Sequence, residues 1–147
     1  MSKPVFSDLF RLSGRRNRKS YSLLLLFCLV GWAVALMGLL NIATTTWGVV
    51  IGAGTGLLVY AFGNAVIWIA GAQRCRDMGW PGWLMLVVAA LCIVFQPLIF
   101  LENLSVAMTT VVVAVTAAVW LFLLWLCIVL GTPGPNKYGP DPLEPLP

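Results

Sequence analysis

Four long apolar runs, separated by short polar stretches, set the pattern of the chain: residues 22–40, 49–72, 83–101 and 106–130. A bilayer core about 30 Å thick needs about 20 mostly apolar residues per helix, so each run is long enough to cross once. None of the four contains Asp, Glu, Lys or Arg. A buried soluble core does not require that, whereas a lipid-facing surface does, because a charge there costs about 3 kcal/mol on insertion scales. The pattern predicts an all-α integral membrane four-helix bundle. Ahead of the first run, Phe6, Leu9 and Phe10 would share one face of a brief helix started by Ser7 or Asp8 and ended by Gly14. Such a helix suits the headgroup plane.

Within the runs, Gly48, Gly52 and Gly56 recur every four residues. They form a stripe without side chains on which another helix can pack closely. Polar groups are few: Asn64 in the second run, Gln96 beside Pro97 in the third, and Thr109, Thr110 and Thr116 in the fourth. Pro97 is expected to kink the third helix and free a carbonyl near Gln96. Such groups more often join helices than bind a substrate.

The distribution of charge orients the bundle. Lys3, Arg11, Arg15, Arg16, Arg18 and Lys19 precede the first run, Arg74 and Arg76 separate the second and third, and Lys137 follows the fourth. The other two connections hold no Lys or Arg. The positive-inside rule therefore predicts both termini in the cytoplasm, with a cytoplasmic N-terminal segment 1–21 and a cytoplasmic tail 131–147. With 61% hydrophobic residues, 10% charged residues and a mean hydropathy of +0.96, the 147 residues lie outside the range of soluble domains and fit one membrane domain. The net charge of +4 is juxtamembrane and points to anionic headgroups, not nucleic acid. The first run is too long for a signal peptide and lacks a small-residue cleavage site, so it reads as a retained helix. Cys28, Cys75, Cys92 and Cys127 form no metal or redox motif, and no cofactor is expected.

Two connecting segments carry denser information. In the inner loop, Arg74 and Arg76 suit the C-terminal end of a helix, Gly79 can take a left-handed conformation, and Pro81-Gly82 turns the chain. Trp80 and Trp83 are placed as interface anchors. Asp77 among these arginines predicts an ion pair with Arg74 or with the cluster from Arg15 to Arg18. The Pro/Gly-rich tail excludes regular helix or sheet.

Three elements in this order resemble domain-of-unknown-function family 805, the bacterial YhaH-like inner membrane proteins. They are Gly14, Arg15 and Arg18 with Tyr21 before the first helix; Arg74, Asp77, Gly79, Gly82 and Trp83 in the loop; and the closing run from Pro133 through Asn136, Tyr138 and Asp141 to Pro142. Arg76 stands where such proteins often have histidine, Pro81 where serine is common, and Ser22 where an aromatic is frequent. The resemblance implies a bacterial inner membrane address and four spans, and no established activity. Since all three elements fall on the predicted cytoplasmic side, they are expected to meet. Asp77 and Asp141 would pair with Arg15, Arg18, Arg74 or Arg76, and Tyr138 would pack on Trp80 or Trp83, forming a fixed cap.

The expected function is a non-catalytic interaction or scaffold protein whose cap binds anionic lipid headgroups or a partner protein, a membrane protein or a second copy. The alternative is a small transporter or channel with Asn64 and Gln96 lining the path; it lacks the intramembrane ionisable groups that ion-coupled carriers need. An enzyme is not expected: with no histidine and no cysteine beside a base, the chain offers no nucleophile or general base beyond Asp77.

Overall fold

The computed structural model describes residues 6, 8–42, 46–101 and 104–143. Four α-helices follow in order: α1 (Arg18–Ile42), α2 (Thr46–Asp77), α3 (Leu84–Phe95) and α4 (Val106–Ile128). Among the described residues there is no strand, only an isolated bridge between Asn136 and Gly139. Three stretches, Arg18–Gly38, Gly48–Asp77 and Val106–Ile128, are long and apolar enough to cross a membrane.

Local chemistry sets the helix ends. Asn17 precedes α1 and its Oδ1 accepts from the Ser20 amide at 2.8 Å, satisfying one orphan donor of the first turn. Ser105 does the same for Met108 at the start of α4. Gly79, at φ +80, closes α2, and Trp80 donates back to the Cys75 carbonyl at 2.9 Å.

The third run departs from the expectation of a span 83–101 with a kink at Pro97. Proline has no amide hydrogen and its ring opposes the carbonyl four residues back, so α3 stops at Phe95 and a 3-10 turn, Pro97–Phe100, follows. Twelve α-helical residues rise only about 18 Å. The expected N-terminal helix falls partly on residues outside those described. What is described, Phe6 and residues 8–14, runs as turns and bends, with Asp8 at φ 55, a left-handed conformation that interrupts a helix. Its aromatic rings still reach the bundle: Phe6 meets Phe27 edge-on at 5.3 Å between centroids, and Phe10 lies 6.0 Å from Phe62.

The apolar core occupies the half of the bundle where α1 begins and α2 ends. Leu24 and Leu25 of α1, Ile67 and Ala70 of α2, Met85 of α3, and Leu123 and Leu126 of α4 are buried there. In α1 no described side chain beyond Cys28 is buried. Close backbone packing runs from the middle of the bundle into this half. A methyl group on Gly63 would lie 2.5 Å from Trp32 Nε1, and one on Gly71 would lie 2.6 Å from Met85 Cε. Of the predicted stripe Gly48, Gly52 and Gly56, only Gly52 is buried, and a methyl group at Gly56 would meet nothing within 4 Å. Spacing alone identifies a smooth stripe but not the helix that fills it.

Candidate functional site: a polar cap at one end of the bundle

Three segments distant in sequence converge where the core is tightest: residues 15–17 ahead of α1, the last turns of α2, and the tail after α4. At their centre is the Asp77 carboxylate, held between two guanidiniums. Arg15 Nε donates to Oδ1 at 3.1 Å, and Arg74 Nη1 donates to Oδ2. The side chains of Arg15, Arg74 and Asp77 are 1%, 0% and 5% exposed. Burying ions is costly unless their remaining hydrogen-bonding capacity is also met.

Here backbone oxygens meet much of it. Arg74 lies across the C-terminus of α4, where its Nε donates to the Leu126 carbonyl at 3.0 Å and its Nη2 to the Val129 carbonyl. The last carbonyls of a helix lack intrahelical donors and carry partial negative charge, so a cation there satisfies and neutralises them together. Arg15 reaches the tail. Nη1 lies 2.6 Å from the Gly134 oxygen and 3.3 Å from that of Gly139, and Nη2 lies 2.5 Å from the Thr132 carbonyl and 3.2 Å from its hydroxyl. Gly131 leaves no room for a Cβ against the Asp77 carboxylate, so the chain passes directly over it.

The tail has its own order. Thr132 donates from both its amide and its hydroxyl to the Asp77 carbonyl at 2.8 Å. Asn136 Nδ2 donates to the Arg76 carbonyl at 2.9 Å, and Asn136 exchanges two backbone hydrogen bonds with Gly139 at 3.0 Å. Asp141 accepts from the Leu143 and Gly134 amides, each at 2.9 Å, which holds its carboxyl below the usual carboxylate range.

Arg16 and Gln73 form a second, adjoining knot. Arg16 Nε donates to Gln73 Oε1 at 2.8 Å, and Gln73 Nε2 donates to the carbonyls of Asp8 and Arg11 at 2.9 and 2.7 Å. Burial pushes the Arg16 guanidinium down, and Asp8 partly offsets this. Gln73, Thr132 and Gly131 were not singled out by sequence, and Arg16 was named only within the cluster from Arg15 to Arg18. For Gln73 the available signal was a long polar side chain one residue before Arg74.

The predicted site residues divide into two groups. Arg15, Arg74, Asp77 and Asn136 come together. Arg18 is exposed, Tyr21 is buried in the core, and Arg76 offers its carbonyl to Asn136 while its guanidinium lies beside Gly82, with Nη1 buried and without a hydrogen-bond partner among the described residues. Asp141 caps backbone amides, and no ion pair links it to an arginine among the described residues. Trp80 pairs with Trp125 at 5.1 Å, whereas the Tyr138 ring sits under the Lys137 ammonium at 5.0 Å and Trp83 is exposed.

Inside the bundle, Gln96 accepts from the Tyr60 hydroxyl and Asn64 donates to the Tyr60 carbonyl at 2.9 Å. These bonds tie α2 to the end of α3 and to itself. Two cavities, one along the start of α4 and one of about 110 Å³ under Phe6 and Leu9, are lined by neither Asn64 nor Gln96. Among the described residues no group of His, Cys, Asp and Glu could hold a metal ion.

No curated protein and no solved structure matches the chain significantly. A family model described as "Protein of unknown function (DUF805)" matches residues 9–140, a stretch that takes in the first arginines, the α2–α3 loop and the tail up to Pro140. The chain therefore belongs to the DUF805 family.

Proposed function

We propose that this protein is a non-catalytic interaction protein of the bacterial inner membrane, a four-span bundle with both termini in the cytoplasm whose capped end holds anionic lipid headgroups. The observation that carries the reading is the double bridge Arg15–Asp77–Arg74, which together with the Arg15 bonds to Thr132 and Gly134 fastens the segment before α1 and the tail to the end of α2. A chain that merely crosses a bilayer needs no such knot. Around it Arg11, Arg18, Lys19 and Lys137 stay exposed, together with Trp80 and Trp83. Each cation near an anionic leaflet adds about 1 kcal/mol of attraction, and indole rings favour the headgroup level. All nine Lys and Arg fall in the segments assigned to this side, which supports its cytoplasmic orientation.

The test is lipid retention by the full chain in nanodiscs containing phosphatidylcholine and phosphatidylglycerol, read by native mass spectrometry. Enrichment of phosphatidylglycerol is expected, falling about tenfold or more in the combined Arg11→Gln, Arg18→Gln, Lys19→Gln variant. Equal retention of both lipids by the intact protein contradicts the reading. Reporter fusions at each terminus test the orientation separately.

A further inference from the structure

We propose that residues 132–141 form a displaceable strap over a phosphate-binding arginine site, and that the phosphate belongs to a membrane lipid headgroup. Four of the five hydrogen-bonding directions of Arg15 point at the tail, and each oxygen they bond to is neutral: the carbonyls of Thr132, Gly134 and Gly139 and the Thr132 hydroxyl. Beneath the strap the one Asp77 carboxylate is shared by two buried guanidiniums, those of Arg15 and Arg74. Tail carbonyls hold the arc around Arg15 where the oxygens of a phosphate would sit, without the charge that makes guanidinium–phosphate pairs strong.

The oxygens that tie the strap to Arg15 are acceptors that a competing anion can replace. No side chain from Gly131 to Leu143 is buried, so lifting it exposes little apolar surface. Apart from Arg15, its ties to α2 are hydrogen bonds from Thr132 and Asn136 to the Asp77 and Arg76 carbonyls. It is also closed on itself, through the Asn136–Gly139 pair and the Asp141–Gly134 bond, so it can move as a unit about the residues after α4. A ligand that binds only the open state shifts the population towards it.

The inference rests on the lipid-binding reading for the source of its phosphate, and goes beyond the exposed rim to a second, covered site. Its test follows trypsin cleavage after the exposed Lys137 in the full chain in nanodiscs. Cleavage is expected to be slow in phosphatidylcholine and several-fold faster when phosphatidylglycerol is added. Inorganic phosphate, at matched ionic strength over phosphatidylcholine, serves as the second arm. Acceleration there too keeps the strap and assigns the site to phosphate from solution. Asn136→Ala removes the strap's side-chain bond to the Arg76 carbonyl, with two bonds inside the strap, without removing an arginine. It is expected to raise both cleavage and phosphatidylglycerol affinity about fivefold or more, the equivalent of the one lost hydrogen bond between strap and α2. Equal cleavage in all three conditions overturns the strap, as does an Asn136→Ala chain that is cut faster but holds the lipid no more tightly. Phosphatidylglycerol enrichment with unchanged cleavage defeats the strap alone. Absence of enrichment in the intact protein defeats the lipid-binding reading.

Discussion

At the end where α1 begins and α2 finishes, polar side chains are buried and fasten three remote segments to one another; at the opposite end, α1 past Cys28 contributes no buried side chain among the described residues. Leu36, Met37 and Leu40 of α1 and Leu57 and Leu58 of α2 are more than half exposed, as suits surfaces that face lipid. The contrast follows from what each solvent rewards. Lipid tails are as apolar as leucine, so they give apolar helix faces no reason to associate, and association rests on close packing and hydrogen bonds. Both run from the middle of the bundle to the capped end, in Gly63 against Trp32, Gly71 against Met85, and the Arg15–Asp77–Arg74 bridge.

Substitutions that strike the cap should therefore cost far more than matched ones elsewhere. The largest effect is expected from Asp77→Asn, which leaves two buried guanidiniums without their counter-ion and should cost about 3–5 kcal/mol, read as a fall in the detergent melting temperature. Arg74→Gln should follow at about 2–3 kcal/mol, since it removes a charge-assisted donor from the end of α4, with amide exchange rising first at residues 127–129. Gly63→Ala sharpens the comparison within one helix. The methyl group has to displace Trp32 at about 1–3 kcal/mol, whereas Gly56→Ala, with nothing within 4 Å, should leave stability unchanged or slightly raised, as should Gly54→Ala. The smallest effect concerns Asp141. Its folded carboxyl is held below the usual value, so its share of tail stability is present above the unfolded pKa of about 4 and is lost as pH falls through the lowered folded value. Protection of the Gly134 amide should weaken below pH about 4 in intact protein, while Asp141→Asn should lack that dependence.

Much of the fold was legible because a bilayer constrains sequence harshly. Four uncharged runs and a one-sided set of cations carry the helices and their grouping, and each helix appears within a few residues of its run. The third element differed for a local reason that was also visible: Pro97 ends the α-helix, so the consequence was a terminus and a 3-10 turn, where a kink was expected. The cap was legible in its charged members, because Asp77 among arginines has few alternatives in a low-dielectric layer. Its neutral members were not. Gln73 and Thr132 bond to backbone groups 62–65 and 55 positions away, and nothing in local composition records such a distance. The tail's prolines and glycines read as irregular chain, which they are, and the order comes from Arg15, a residue on the far side of the molecule in sequence. Tyr138 and Asp141 showed the limits of pairing by charge and ring type, since Asp141 found backbone amides and Tyr138 found Lys137.

The claim beneath all of this is that the tail is folded against the end of α2, with Arg15 joining the two. Hydrogen–deuterium exchange of the full chain in nanodiscs of neutral lipid addresses it directly. The account predicts the amides of Thr132, Gly134, Asn136 and Gly139 to exchange at least tenfold more slowly than an unstructured peptide of the same sequence, with that protection lost in Asp77→Asn. Unstructured rates at those amides in the intact protein would contradict it.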